Sequence, residues 1–144
     1  MEQMHRGDQI IYYDKQRTIE AYASLRMGAC EECGCTYCRN FAAQRDKAYP
    51  DDFRLILGSL GIDFTKEGEV YECGPEDDLS LYGGWFYFAG QLIQAGERLT
   101  GASSGFQYYF VDAKRLPKPP ASFGANVAAI EFYTKIPWVL SDPR

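Results

Sequence analysis

The sequence predicts an α+β protein with a single antiparallel sheet of about five or six strands and a two-helix insertion after the second strand. Two observations lead to this prediction. Aromatic and β-branched residues concentrate in short segments that glycine, proline or polar residues separate. One block of helical periodicity follows a cysteine-rich segment at residues 30–38. A length of 144 residues suits one domain, so we expect residues 1–144 to fold as a unit.

The first two strands are predicted near the amino terminus. Residues 1–8 are mostly polar, and we expect them to be disordered. Residues 9–13 form a short apolar run, and residues 14–16 suit a turn. Apolar and polar residues then alternate over residues 18–27, as in a half-buried strand. This second strand would lead directly into the cysteine-rich segment.

The helical insertion is predicted over residues 39–61. Its first helix covers residues 39–49, where the pattern is amphipathic, and Pro50 ends it. Asp51 or Asp52 can cap the second helix, and Gly61 is placed to terminate it in a left-handed conformation. The expected buried stripe of this second helix consists of Phe53, Ile56, Leu57 and Leu60.

The rest of the chain has the composition of strands. These segments are rich in tyrosine, phenylalanine, tryptophan, valine or isoleucine, and they cover residues 69–73, 81–93, 105–113 and 127–139. Their connections are too short for helices, which favours antiparallel neighbours. In the last strand Ala128, Ile130, Phe132 and Ile136 fall on one face, and we expect the helices to cover that drier face.

Charge and hydropathy argue against two classes of partner. The formal net charge is −5 and the 15 basic residues are scattered, so the chain lacks a basic face for nucleic acid. The first residues lack the apolar core of a signal peptide, and no apolar run approaches the roughly 20 residues that cross a bilayer. We therefore expect a cytoplasmic protein without nucleic-acid or membrane partners.

Four of the five cysteines fall within nine residues, as Cys30, Cys33, Cys35 and Cys38. In a reducing compartment such clustering indicates metal or thiol chemistry rather than disulfide staples. Zinc is bound tetrahedrally by thiolates, and a C-x-x-C unit can place two sulfurs on one ion. The segment contains two such units separated by Gly34, whose freedom at positive φ would permit the tight reversal that one four-cysteine site requires.

Other ligand sets and other chemistries fit the same segment. Three of these cysteines could combine with Cys73 or His5. Alternatively, Cys35 and Cys38 could form a redox or sensing pair, because a helix start lowers the pKa of a thiol there. Inert thiols also fit, whereas the spacing departs from that of common iron–sulfur clusters. Zinc at all four cysteines is our leading prediction.

The segment Gly34-Cys35-Thr-Tyr-Cys38-Arg39-Asn40-Phe41 also carries a resemblance, together with Leu-Gly-Ile-Asp at 60–63 and Leu-Tyr-Gly-Gly-Trp-Phe at 81–86. These runs resemble a group of small uncharacterised bacterial proteins in which C-x-x-C-R-N-F precedes two helices. The resemblance covers the chain from Thr18 onward. It implies a bacterial or phage setting and supplies no catalytic residue.

Two further sets of residues are candidates for the site. Arg39 and Asn40 could fix the metal loop through hydrogen bonds to its carbonyls, or form the polar end of a neighbouring site. Some of the strand aromatics could present a surface to a protein partner, or could simply build the sheet. The candidates for this surface are Tyr82, Trp85, Tyr87 and Tyr108. The sequence thus favours a non-enzymatic binding or regulatory module with a cysteine-ligated structural zinc.

Overall fold

The computed structural model describes residues 1–101 and 105–144, and it confirms the α+β class with one open antiparallel sheet. Within these residues the strands are β1 (Glu2–Arg6), β2 (Gln9–Tyr13), β3 (Glu69–Glu76), β4 (Leu79–Gln94), β5 (Leu99–Thr100), β6 (Gln107–Asp112) and β7 (Val127–Pro137). The helices are α1 (Lys15–Ser24), α2 (Ala29–Cys33), α3 (Thr36–Ala43), α4 (Arg45–Ala48) and α5 (Asp51–Leu60). Short 3₁₀ turns cover Ala113–Arg115 and Ala121–Phe123.

Strand β4 organises the sheet, whose order is β1-β2-β4-β7-β6-β5 with β3 also paired to β4. On one side, β7 follows β4 from Leu79 to Ala89. On the other side, β3 pairs with the first half of β4 and β2 pairs with its last residues. On that side, residues 86–89 of β4 pair with neither β3 nor β2, which leaves a gap between these two strands.

Helix α1 fills this gap, and its presence corrects the strand predicted at residues 18–27. Asp14 caps the helix by accepting a hydrogen bond from the Arg17 N–H at 3.0 Å. Thr18, Ala21 and Tyr22 are buried, a spacing that is helical rather than alternating. The Thr18 hydroxyl accepts from the Ala89 N–H at 3.0 Å, so the helix satisfies backbone groups of β4 that lack a strand partner.

The amino terminus, which was predicted to be disordered, forms a strand in the structure. Strand β1 pairs with β2 in an antiparallel hairpin, in which Arg6 lies opposite Gln9. Gly7 adopts a φ of 57° in the connecting turn, a conformation that costs glycine little. The backbone hydrogen bonds of this hairpin order a segment whose polarity alone suggested disorder.

The helical insertion agrees with the prediction in position and differs in its boundaries. Helix α3 begins at Thr36, inside the cysteine-rich segment, and the short α4 continues after Gln44. Helix α5 is preceded by Pro50 at its cap position, so the predicted caps Asp51 and Asp52 lie in its first turn. Its predicted stripe is buried, and Gly61 ends it with a φ of 85°.

The helices cover the sheet face predicted to be drier. Phe53 of α5 packs against Phe106 with ring centroids 4.8 Å apart, and Tyr49 packs edge-on against Phe132 at 5.1 Å. The ring centroids of Phe41, in α3, and Tyr82 lie 5.3 Å apart. This aromatic core fixes α3, and with it the cysteines, against the sheet. Among the described helices, none is both long and apolar enough to cross a membrane.

Candidate metal centre

The cysteines lie on two short helices joined by a tight reversal. Gly34 ends α2 with a φ of 66°, and its N–H donates to the Cys30 carbonyl at 2.9 Å. Cys35 follows at once as the N-cap of α3. Positive φ at this position favours glycine, as the sequence suggested. The reversal turns Cys33 at the end of α2 towards Cys35 and Cys38 at the start of α3.

The structure brings three cysteines together in one cluster, which we call the three-cysteine cluster: Cys33, Cys35 and Cys38. Their Sγ atoms all lie within 4.8 Å of one another. Zinc–sulfur bonds of about 2.3 Å place two thiolates of a tetrahedron about 3.8 Å apart, so small side-chain rotations would suffice. Cys33 and Cys35 are exposed and Cys38 is buried, which leaves the cluster open to solvent on one side. These three thiols could hold a metal ion.

The remaining candidate ligands lie outside this cluster. Cys30 is buried with 1% of its surface exposed, and its thiol neighbours that of Cys38 without joining the other two. Burial, reinforced by the nearby Glu67 carboxylate, raises the pKa of the Cys30 thiol to about 12. Cys73 lies exposed on β3, and His5 lies on β1 in a hydrogen bond with the Gln3 side chain.

Cys35 and Cys38 have opposite electrostatic environments. The Cys35 sulfur accepts a hydrogen bond from the Cys38 N–H at 3.5 Å, and this bond lowers the pKa of Cys35. Burial raises the pKa of Cys38, and the neighbouring Cys30 adds to that rise. The start of α3 therefore presents one exposed, more acidic thiol in front of one buried, less acidic thiol.

A buried ionic network holds α2 in place, and sequence analysis missed it. Glu67 accepts two hydrogen bonds from Arg45, at 2.8 and 2.9 Å, and one from the Tyr49 hydroxyl at 2.7 Å. Arg45 also pairs with Glu31 of α2 at 3.1 Å. The Glu67 carbonyl accepts from the N–H of Ala29, the first residue of α2, at 3.0 Å. Glu67 thus holds both the first residue of α2 and Arg45, the arginine that contacts α2.

Arg39 and Asn40 bond to the carboxyl-terminal segment instead of to the cysteines. Asn40 is fully buried, donates to the Pro137 carbonyl at 3.2 Å and accepts from the Val139 N–H at 2.8 Å. Arg39 forms an ion pair with Asp142 at 3.2 Å. The Arg-Asn-Phe run therefore joins α3 to the end of β7 and to the core.

Asn40 still supports the cysteine helix through one intermediate residue. Its amide donates to the Tyr82 hydroxyl at 3.3 Å, and that hydroxyl donates to the Tyr37 carbonyl at 2.9 Å. Tyr37 stands immediately before Cys38 in α3. The hydrogen bond to this carbonyl of the metal loop therefore comes from Tyr82 rather than from Arg39 or Asn40, the residues predicted to donate it.

The aromatic partner surface predicted from the sequence is buried. Tyr82 has no exposed surface, and the exposed fractions of the other three candidates, Trp85, Tyr87 and Tyr108, are 9% or less. Tyr82 and Tyr108 pack beneath the helices, whereas Tyr87 contacts Phe123 and donates to the Pro117 carbonyl at 2.6 Å. These side chains build the sheet and its packing, so they do not offer a surface to a partner.

Comparisons with protein-family models, with curated proteins and with solved structures find no match for this chain. The geometry of the three-cysteine cluster and its surroundings therefore carries the functional proposal.

Proposed function

We propose that this protein is a non-enzymatic binding or regulatory module of the cytoplasm whose cysteine-bearing helices are fixed by a zinc ion. The convergence of three Sγ atoms within 4.8 Å carries the proposal. Borderline-soft zinc is well matched to thiolate ligands, which remain reduced in the cytoplasm. Cys30, whose thiol already neighbours Cys38, is the fourth ligand of this proposal.

A structural role for the ion follows from the size of the elements it would join. Helix α2 has five residues and α3 has eight, lengths at which isolated helices are marginal in water. A metal bound by Cys33 of α2 and by Cys35 and Cys38 of α3 would cross-link the two helices across the Gly34 reversal. The positive charge of the metal would also stabilise the thiolate form of Cys38, which burial disfavours.

The surroundings of the cluster support a role without catalysis. The single histidine lies on β1 and bonds to Gln3, so no imidazole base stands near the cysteines. Glu31 and Glu67 are both paired with Arg45. Neither of these carboxylates is left as a free proton acceptor beside the thiols.

The metal content of the purified protein tests the proposal. We expect about one zinc per chain, as one four-ligand structural site requires. Cys38→Ser should lose the metal because it removes the central, buried ligand, whereas Cys73→Ser should retain it. Elemental analysis after gel filtration gives both values. A wild-type protein with reduced thiols and no bound metal would contradict the proposal, as would a Cys38→Ser variant that keeps it.

A thiol redox or sensing function is the second candidate, and the contrast between Cys35 and Cys38 favours it. An exposed thiol with a lowered pKa, followed by a buried thiol, is the arrangement of a nucleophile and its resolving partner. Oxidation of this pair to a disulfide would release two protons and pass two electrons to a disulfide or peroxide substrate.

Alkylation of the metal-free protein distinguishes the two functions at Cys35. We expect iodoacetamide to modify Cys35 severalfold faster than Cys73, whose pKa burial raises, because a larger fraction of Cys35 is thiolate, an advantage that the lower intrinsic nucleophilicity of a more acidic thiol reduces in part. Mass spectrometry of peptides sampled over time near pH 6 measures both rates on one chain. Equal rates would exclude an activated Cys35. Protection of Cys35 in the zinc-loaded protein would favour the structural role.

A further inference from the structure

The three-cysteine cluster offers three sulfur donors, and among the described residues no fourth histidine, cysteine or carboxylate joins the group. Cys30 is the nearest candidate, since its thiol neighbours that of Cys38, but it has 1% of its surface exposed and stays outside the group. A structural zinc ion takes four ligands, so Cys30 would have to shift before it could complete such a site. Without that shift, the cluster matches an acceptor that forms three bonds to sulfur.

The cluster is accessible from one side. Cys33 and Cys35 are exposed, whereas Cys38 is buried. Gly34 stands between the two exposed cysteines, and apart from its chain neighbours no heavy atom lies within 4 Å of the position that a Cβ atom would occupy there. Trivalent arsenic forms three pyramidal bonds and carries a lone pair in its fourth position. An arsenic atom bound to the three sulfurs could therefore direct its lone pair to solvent and would need no further ligand.

The charges around the cluster favour a neutral complex over an anionic one. Arg39 and Arg45 are the first two basic residues after the cysteines, and each already forms an ion pair with a carboxylate at 3.2 Å or less. Helix α2 also carries two glutamates in its first turn. The Cys38 N–H donates to the Cys35 sulfur, but this is one hydrogen bond of 3.5 Å. Four thiolates on zinc leave about two negative charges, whereas three thiolates on trivalent arsenic leave none.

We propose that the three-cysteine cluster binds trivalent arsenic, which it takes up as arsenite. The three thiols replace the three hydroxyl groups of arsenous acid, As(OH)₃. Three S–H and three As–O bonds break, three As–S bonds form, and three water molecules leave with the thiol hydrogens. Arsenic stays trivalent and the sulfurs stay at the thiol level, so the step needs neither an oxidant nor a reductant. Soft thiolate ligands favour such a thiophilic acceptor.

This proposal rests on the metal-binding function proposed above, because it uses the same cluster, and it differs in leaving Cys30 unbound. Zinc and arsenite would compete for Cys33, Cys35 and Cys38. In a regulatory module, arsenite would thus act as an effector that displaces zinc and frees the Cys30 thiol. Both occupants would still join α2 to α3 across the Gly34 reversal.

Native mass spectrometry of the metal-free, reduced protein with arsenite tests this proposal. A phosphine should keep the thiols reduced, since a dithiol reductant would compete for arsenic. We expect binding to saturate at one arsenic per chain. The mass should rise by one arsenic atom less three hydrogen atoms, because three thiols react. An adduct with only two thiols would retain a hydroxyl group, and its mass would reveal it.

Cysteine variants separate this ligand from zinc. Cys33→Ser, at an exposed position, should weaken arsenite binding about tenfold or more because one of the three bonds is lost. Cys73→Ser is the matched control and should bind arsenite like the wild type. Cys30→Ala should retain arsenite binding and lose zinc, which elemental analysis of the same preparation measures. Circular dichroism verifies that each variant remains folded.

The two proposals for the cluster fail in different ways. A wild-type chain that binds zinc but takes up no arsenite would overturn the arsenite proposal and leave the zinc site intact. Uptake of arsenite by a chain that never binds zinc would support the arsenite proposal and contradict the zinc site. An adduct that retains a hydroxyl group would contradict three-sulfur binding, as would equal losses of arsenite binding in Cys30→Ala and Cys33→Ser.

Discussion

Replacing Glu67 by glutamine is expected to lower the free energy of unfolding by about 3–5 kcal/mol, the cost of breaking a buried ion pair from one side. The Glu67 side chain has no exposed surface, and only 11% of the Arg45 side chain is exposed. Glutamine would leave the Arg45 charge uncompensated and would turn an amide donor towards donors from Arg45 and Tyr49. The loss should loosen α2 as well, since Arg45 also contacts Glu31.

Urea unfolding measures this change, and Glu31→Gln is the matched control. Glu31 contacts the same arginine, but 38% of its side chain is exposed, so its replacement should cost less than about 1 kcal/mol. The double variant Arg45→Met with Glu67→Gln should be less destabilised than the sum of its single changes, because no buried charge remains unpaired. Equal costs for Glu67→Gln and Glu31→Gln would contradict the role assigned to the network.

Much of the fold could be predicted because the local composition of the chain indicates where the strands lie. Strands β4 and β7 are long runs of aromatic and β-branched residues, and α5 carries its stripe and its terminating Gly61 in sequence. Helix α1 could not be separated from a strand by alternation alone. Its Thr18 and Tyr22 meet backbone groups of β4 that are about 70 residues away along the chain, and only tertiary structure reveals that contact.

In the candidate site, too, the features set by neighbouring residues could be predicted, whereas contacts between residues far apart in the sequence could not. The clustering of cysteines and the reversal at Gly34 are local features, and both were evident from spacing. Glu67 lies 22 residues from Arg45, and no short motif marks it as the partner of an arginine beside the cysteines. Burial of the strand aromatics also depends on what packs over the sheet, so the sequence left open whether they build the sheet or face a partner, and the structure buries them.

Removal of the proposed zinc ion is expected to produce the other large effect. An ion that binds only the folded protein stabilises it by about 4 kcal/mol when its free concentration is about a thousandfold above Kd. For a chain of this length, that free energy corresponds to a melting temperature about 10 °C higher. The stabilisation depends on thiolates, so it should require Cys38 and should not require Cys73.

Thermal unfolding of the zinc-loaded protein with and without a strong chelator tests the structural role of the cluster most directly. Wild-type protein and Cys73→Ser should each lose about 10 °C when the chelator is added under reducing conditions, and restored zinc should reverse the loss. Cys38→Ser should melt at the same temperature in both conditions. An unchanged melting temperature of metal-loaded wild-type protein after chelation would contradict the claim that a metal at Cys33, Cys35 and Cys38 holds this part of the fold together.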